Sequence, residues 1–248
     1  MVFKRILPGI FLLYMFSCSK NSTITPNTPP TPVVPVVNCK ITNASVVSGT
    51  GVTIGNYSYQ YNSDGTLAGS LYAAGIYSDT VSYKYNGKLI YRSVAAGINS
   101  SVDTITLNDA GMEALDKAQI GASVYLTTYS YDANGLLKTF TQQQDAYPPI
   151  SASYTFTDGD NTLTTNGADA DTLVYDVNKT AVMGNMDQFN QLLSFGAMYI
   201  KNKHLIKEEH HGAAVYFTYT YTPEGNIATA KIVVGNNSQT ISYTYDCK

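Results

Sequence analysis

Tyrosines alternate with small polar residues in short runs, and each run ends at a glycine turn; a chain built this way has little choice but to fold into hairpins. The runs are Tyr57-Ser58-Tyr59-Gln60-Tyr61 before Asp64-Gly65, Tyr83-Lys84-Tyr85 before Asn86-Gly87, and Tyr129-Ser130-Tyr131 before Asn134-Gly135. Tyr154-Thr155-Phe156 before Asp158-Gly159 and Tyr219-Thr220-Tyr221 before Glu224-Gly225 repeat the arrangement. The turn glycines Gly65, Gly87, Gly111, Gly135 and Gly159 are spaced 22, 24, 24 and 24 residues apart. That period fits one β-hairpin per repeat, two strands and a tight turn followed by a connection to the next hairpin. Asp-Gly and Asn-Gly suit such turns because glycine reaches positive φ without steric cost and Asn or Asp tolerates it.

Strict alternation puts tyrosines on one face of each strand and Ser, Thr or Gln on the other, because successive side chains of a strand point to opposite sides. The expected fold is all-β: an antiparallel meander of repeated β-hairpins, forming an open curved sheet or an up-and-down barrel, with one short helix. The helix is read over residues 186–195, where Phe189, Leu192 and Leu193 recur at helical spacing, Asp187 stands near the start and Gly196 follows. It is expected to cap an open end. Strand-like composition returns from Tyr199 to His211.

The chain opens with Lys4 and Arg5, an apolar run from Ile6 to Phe16, and Ser17 before Cys18. This is the physical make-up of an export signal, with an apolar run too short to span a bilayer. Residues 1–18 are read as a lipoprotein signal ending at a lipidated Cys18; the alternative is an ordinary cleaved signal with an unmodified cysteine. Residues 19–38, rich in Ser, Thr, Asn and Pro, make a semi-extended tether. Residues 39–248 are left as a single tyrosine-rich β domain.

Without Lys4 and Arg5 the chain has thirteen basic and eighteen acidic residues, a formal charge of −5, and Arg92 is its remaining arginine. Scattered lysines and a negative balance argue against nucleic acid as a partner. Cys39 and Cys247 bracket the domain, and in an exported protein they are expected to form a disulfide; two buried free thiols are the alternative.

The Tyr-x-Tyr strands with glycine turns resemble a loose form of the YD repeats of Rhs proteins. Taken with the signal ending at Cys18, the segment Lys201-Asn202-Lys203-His204-Leu205-Ile206-Lys207 and Tyr219-Thr220-Tyr221 with Gly225, residues 39–248 are similar to a family of Bacteroidetes cell-envelope lipoproteins of unknown function with a porin-like, β-rich fold. The resemblance implies an envelope address, with the outer membrane as the site of anchoring, on its periplasmic side or at the cell surface. It brings no catalytic residues.

Chemistry is scarce in the residues themselves. On a regular strand His204 and His210 share a face with Glu208, a weak candidate for half a metal site. The pairs Asp158 with Asp160 and Asp169 with Asp171 are weak calcium candidates, since acids in hairpin turns have a simpler explanation. No Gly-x-Ser-x-Gly elbow or phosphate-binding loop is present, so the chain is read as a non-enzyme without a cofactor. Tyr57, Tyr59, Tyr61, Tyr83, Tyr85, Tyr129, Tyr131, Tyr219 and Tyr221 are at once the expected core and the candidate ligand surface. The expected role is binding or scaffolding of an unknown protein, glycan or apolar ligand; the absence of Trp weakens the glycan reading, and a hydrolase with an unrecognised site is the remaining alternative. A membrane-spanning barrel is disfavoured because the face opposite the tyrosines is Ser and Thr rather than apolar.

Overall fold

The structure, a computed structural model, describes residues 39–96, 100–166, 169–193 and 202–247. Its first strands are β1 (Cys39–Ser48), β2 (Thr53–Tyr61), β3 (Leu67–Ala74), β4 (Tyr77–Asn86), β5 (Leu89–Ala95) and β6 (Ser101–Leu107). There follow β7 (Glu113–Ile120), β8 (Ser123–Tyr131), β9 (Leu137–Gln144), β10 (Ile150–Thr157), β11 (Asp160–Asn166) and β12 (Asp169–Thr180). After the helix α1 (Met186–Leu193) come β13 (His204–His211), β14 (Ala213–Tyr221), β15 (Ile227–Val234) and β16 (Asn237–Cys247). The expected helix therefore forms; residues 194–201, the end of its expected span and the start of the strand expected from Tyr199, lie outside the described residues, as does Cys18.

Each strand pairs antiparallel with the one before it, and β16 returns to pair with β1. The meander is thus a closed up-and-down barrel rather than an open sheet, and closure leaves no strand edge unpaired. The closing ladder runs from Cys39 opposite Cys247 to Ser48 opposite Gln239. Its first pair is a disulfide between residues 208 apart in sequence. The end of the barrel that carries this bond is called the seam end below, the other the far end.

An up-and-down barrel comes back to the same end every second strand, so the glycines at 65, 87, 111, 135 and 159 all fall at the seam end. Four of the seam-end turns are built alike. Gly65, Gly111, Gly135 and Gly225 each donate an N–H to the residue three before, Asn62, Asn108, Asp132 and Thr222, at 3.0–3.1 Å. Each glycine has φ between 75° and 92°, and the strand before each turn shifts register at its end. This is the type I turn followed by a glycine bulge that joins antiparallel strands.

The tyrosine face points inward. Outward positions carry hydroxyls that pair across strands: Ser130 with Thr139 at 2.6 Å, Thr141 with Ser151 at 3.1 Å, and Thr220 with Thr229 at 2.7 Å. A lipid-facing wall, by contrast, presents a broad apolar band. A circular barrel of this strand number would be roughly 30 Å across between backbones, too wide for single side chains to fill.

Part of that space is filled by α1. The helix does not sit over the opening as a cap; it enters the barrel as a plug. Phe189, 4% exposed, makes edge-to-face contacts with Tyr57 of β2 and Tyr243 of β16 at ring distances of 5.7 and 5.9 Å. Met186 and Phe189 join Ile41, Phe217, Ile227 and Ile241 in one buried cluster. The Asn185 side chain accepts the Gln188 N–H at 3.0 Å and so caps the helix. Gly184, at φ 89°, lets the chain pass so near the wall that a Cβ there would lie 2.2 Å from the Tyr245 hydroxyl.

Reducing the disulfide is expected to destabilise the barrel by up to about 5 kcal/mol, the chain-entropy ceiling for so long a loop. Urea melts of the native chain with and without reductant, beside Cys39→Ser/Cys247→Ser, check this; coincident midpoints would show that the β1–β16 ladder holds without it.

Candidate functional site in the barrel interior

The inward tyrosines divide into two kinds. Those near the seam end are tied to the backbone of the neighbouring strand. The Tyr61 hydroxyl donates to Ile41 O at 2.9 Å, Tyr85 to Leu67 O at 2.8 Å, Tyr131 to Glu113 O at 2.6 Å and Tyr245 to Ile227 O at 2.6 Å. In each case a tyrosine near the end of one strand reaches the start of the preceding strand. Tyr219 does the same toward Ile206 O at 2.9 Å. In the runs ending at Tyr61, Tyr85 and Tyr131 the final tyrosine is therefore a clamp on the rim.

The second kind lies deeper. Tyr59, Tyr175 and Tyr243 are 5–9% exposed, and their hydroxyls are buried without a hydrogen-bond partner among the described residues. Burial, the largest effect on each, raises their phenol pKa values well beyond the ordinary range, so all three remain hydrogen-bond donors. Of the other sequence candidates, Tyr57 stacks on Tyr72 at 4.8 Å and Tyr83 on Tyr85 at 6.5 Å. Tyr129 lies beside Phe140 at 6.5 Å, and Tyr221 is half-buried against the main core cluster.

Across the barrel the interior turns ionic. Arg92 of β5 is 8% exposed; its Nε meets Asp103 Oδ2 at 2.5 Å and its Nη2 meets Asp116 Oδ2 at 2.8 Å. Asp103 stands directly opposite Arg92 on β6, and β7 supplies Asp116 one strand further on. Burial opposes the guanidinium charge, but Asp116 and Asp103 outweigh it and hold Arg92 protonated. Glu113, 2% exposed, is pushed up to about 8 by burial and then by Asp116 and Asp103, against the pull of Arg92. It is mostly protonated at neutral pH.

A third set of polar groups follows β11, β12 and β13. Asp160, 3% exposed, accepts the His204 N–H at 2.8 Å and faces its Nδ1 at 2.6 Å. Asn202 Nδ2 donates to Asp187 Oδ2 at 2.7 Å; burial raises the Asp187 carboxyl to about 6 against that hydrogen bond, and Asp160 adds to the rise. Glu209 is likewise raised to about 6 by burial and by Asp171, with His211 opposing. His211 pairs with Asp171 at the far end.

These contacts correct the weak metal and calcium readings. A register shift between Val174 and Tyr175 opposite β13 breaks the simple alternation. His204 turns to Asp160, while Glu208 and His210 form a separate pair at 3.4 Å on the other side of the strand. Among the described residues no group of three or more metal-ligating side chains comes together. Asp160 and Asp171 each serve a histidine rather than a shared cation. The interior charges Arg92, Asp103, Glu113 and Asp116 were not singled out from the sequence as a cluster, yet a signal was there: Ile90, Arg92 and Val94, and again Ser101, Asp103 and Ile105, occupy alternate positions, so the charges lie in phase with core residues.

Outside, β16, β1, β2 and β3 enclose a shallow groove of about 400 Å³, lined by Asn43, Ser45, Asn56, Ser58, Ser242 and Thr244 together with Leu71 and Ala73.

The fold is shared with solved proteins. A porin-like protein from Bacteroides uniformis superposes with a TM-score of 0.63 at 17% identity, covering 87% of this chain and 98% of its own. A porin-like protein from Bacteroides vulgatus does so with a TM-score of 0.53 at 13% identity, over 83% and 98% of the two chains. No protein-family model matches the chain, and no curated protein matches it. At such identities the likeness is one of fold.

Two outcomes are expected from the site. Tyr61→Phe removes a rim hydrogen bond and should cost about 1 kcal/mol, whereas Tyr243→Phe removes a hydroxyl with no partner among the described residues and should be neutral or stabilising; chemical denaturation of the two variants tests the contrast. The second concerns pH. An unfolded Glu titrates near ~4.3, so between there and about 8 the folded chain keeps a proton on Glu113 that the unfolded chain has lost. Stability contributed by this group is full below that window and declines as pH rises through it, at up to about 1.4 kcal/mol per pH unit. Asp187 and Glu209 add the same sign only up to about 6. Glu113→Gln should therefore flatten the stability profile between pH 6 and 8, measured by urea midpoints across that range.

Proposed function

We propose that this chain is a non-catalytic lipoprotein of the cell envelope, held on the outer membrane through Cys18, whose barrel interior binds a small amphipathic ligand. The observation that carries the reading is the group of buried Tyr59, Tyr175 and Tyr243 hydroxyls without hydrogen-bond partners among the described residues. An unmet buried hydroxyl costs roughly 1–3 kcal/mol, and a ligand with carbonyl or hydroxyl oxygens would offset that cost. The walls around them are Ile41, Phe217 and Ile241, which suit an apolar body. The two inward His-Asp pairs stand at opposite ends of the barrel, where they bind strands to one another, and this favours a structural role for them over a catalytic one.

A test is thermal melting of the chain against a panel of fatty acids, sterols and short oligosaccharides, with Tyr59→Phe/Tyr243→Phe run beside it. One ligand class is expected to raise the melting temperature of the native chain, and the double variant should stay folded while losing at least tenfold in affinity. Equal binding by both would remove the lumen as the site. The hydroxyl- and amide-lined outer groove favours a second reading, glycan recognition on the outside. In that case Ser58→Arg would abolish oligosaccharide binding and the tyrosine variant would not.

A further inference from the structure

The two ends of the barrel differ in charge and in what they expose. The seam-end turns carry Asp64, Asp109, Asp132, Asp158 and Glu224, with Lys88 paired to Asp109. Among the described residues of the far-end connections, Asp145 is the one acidic or basic side chain, and its carboxylate accepts the Val124 N–H at 2.9 Å. In place of charge the far end presents apolar tips. Ile76 is 93% exposed, Tyr77 72%, Val52 63%, Val102 62% and Tyr147 59%. They sit on the β1–β2 turn, the β3–β4 turn, the start of β6 and the β9–β10 loop, so they follow one arc of the rim. Leu71 and Leu126, outward and exposed by 43% and 40%, lie below that arc. Tyr85, Tyr91 and Val177 are exposed nearer the seam end.

We infer that the far-end rim is a docking surface for a lipid bilayer, its apolar turn tips entering the headgroup region while the acidic end faces away. An apolar rim with Tyr at its margin, and Asp145 the one carboxylate among its described connections, matches the boundary between acyl chains and headgroups, and a row of exposed apolar tips along one arc calls for a partner. The placement rests on the lipid anchor proposed above, and the length of the chain before β1 permits it. Twenty residues lie between Cys18 and Cys39, and a Pro-rich segment of that length reaches about 60 Å. Strands of about nine residues tilted in a barrel wall span roughly 25 Å. A tether joined at the seam end is therefore long enough to pass the barrel and let the far end meet the membrane that holds Cys18.

The chain contains no Trp, so a single introduced indole reports its own surroundings. The full chain carrying Ile76→Trp, a second carrying Val52→Trp and a third carrying Asp109→Trp are bound to phosphatidylcholine vesicles with and without brominated acyl chains. The expected result is a blue-shifted emission at positions 76 and 52, quenched at least twofold by the brominated lipid and insensitive to salt, with no change at 109. Equal quenching at both ends, or none while the protein stays on the vesicles, overturns the docking. So does a blue shift that depends on protein concentration without vesicles, which would assign the rim to a second copy of the chain. Failure of the anchor shows separately, as protein that does not pellet with vesicles. In that case the Ile76→Trp chain is titrated with excess lipid: a saturable shift upholds the docking surface alone, and a flat titration overturns it.

Discussion

The ladder between β1 and β16 is the contact on which the remaining structure depends. Without it the sheet has two open edges and no inside; with it every inward side chain faces a shared interior. The Cys39–Cys247 bond closes the seam at one end of this ladder. Long-range pairing of this kind has a large entropic cost because the chain between the partners must be gathered first. A covalent link at that point acts on the unfolded chain, which it shortens, rather than on the geometry of the folded ladder.

Closure creates a problem of volume. A barrel of this many strands encloses more space than tyrosine and leucine side chains can occupy, and the chain answers it differently on its two sides. Around β1, β2 and β12 to β16 the helix α1 inserts Met186 and Phe189 between aromatic walls and produces an apolar core. Around β5 to β7 the interior holds Arg92, Asp103, Asp116 and a protonated Glu113. Buried ion pairs of this sort add little stability over an apolar replacement, while removing one partner is costly. The polar interior of β11 to β13, where Asp160 holds His204 and Asn202 holds Asp187, links the plug segment to the wall.

The tyrosine repeat has a double meaning that a linear reading merges. In Tyr57-Ser58-Tyr59-Gln60-Tyr61 the three aromatic residues share a face, but their depths differ. Tyr61 clamps the rim through Ile41 O, Tyr59 lies buried with its hydroxyl unpartnered among the described residues, and Tyr57 packs against the plug. Depth along a strand follows from where the turns fall on the finished barrel, so three residues of one type and one phase take three roles.

Strand type, facing and turn position were legible because they depend on neighbours in sequence: alternation divides a strand into two faces, and Asp-Gly or Asn-Gly makes a turn wherever it stands. The 22–24-residue period likewise reported an up-and-down meander, since such a chain returns to the same end after two strands. The choice between open sheet and barrel was not legible, because it rests on pairing residues about two hundred positions apart. The direction of α1 was also hidden: an amphipathic segment with Phe189 and Leu192 can cover an opening or fill it, and the enclosed volume alone distinguishes the two. His204 shows the same limit on a smaller scale. A bulge within β13, where Val174 pairs with Glu208 and Tyr175 with Ile206, took it off the face that strict alternation assigns, and only the register with the neighbouring strand, formed in three dimensions, decides where a bulge falls.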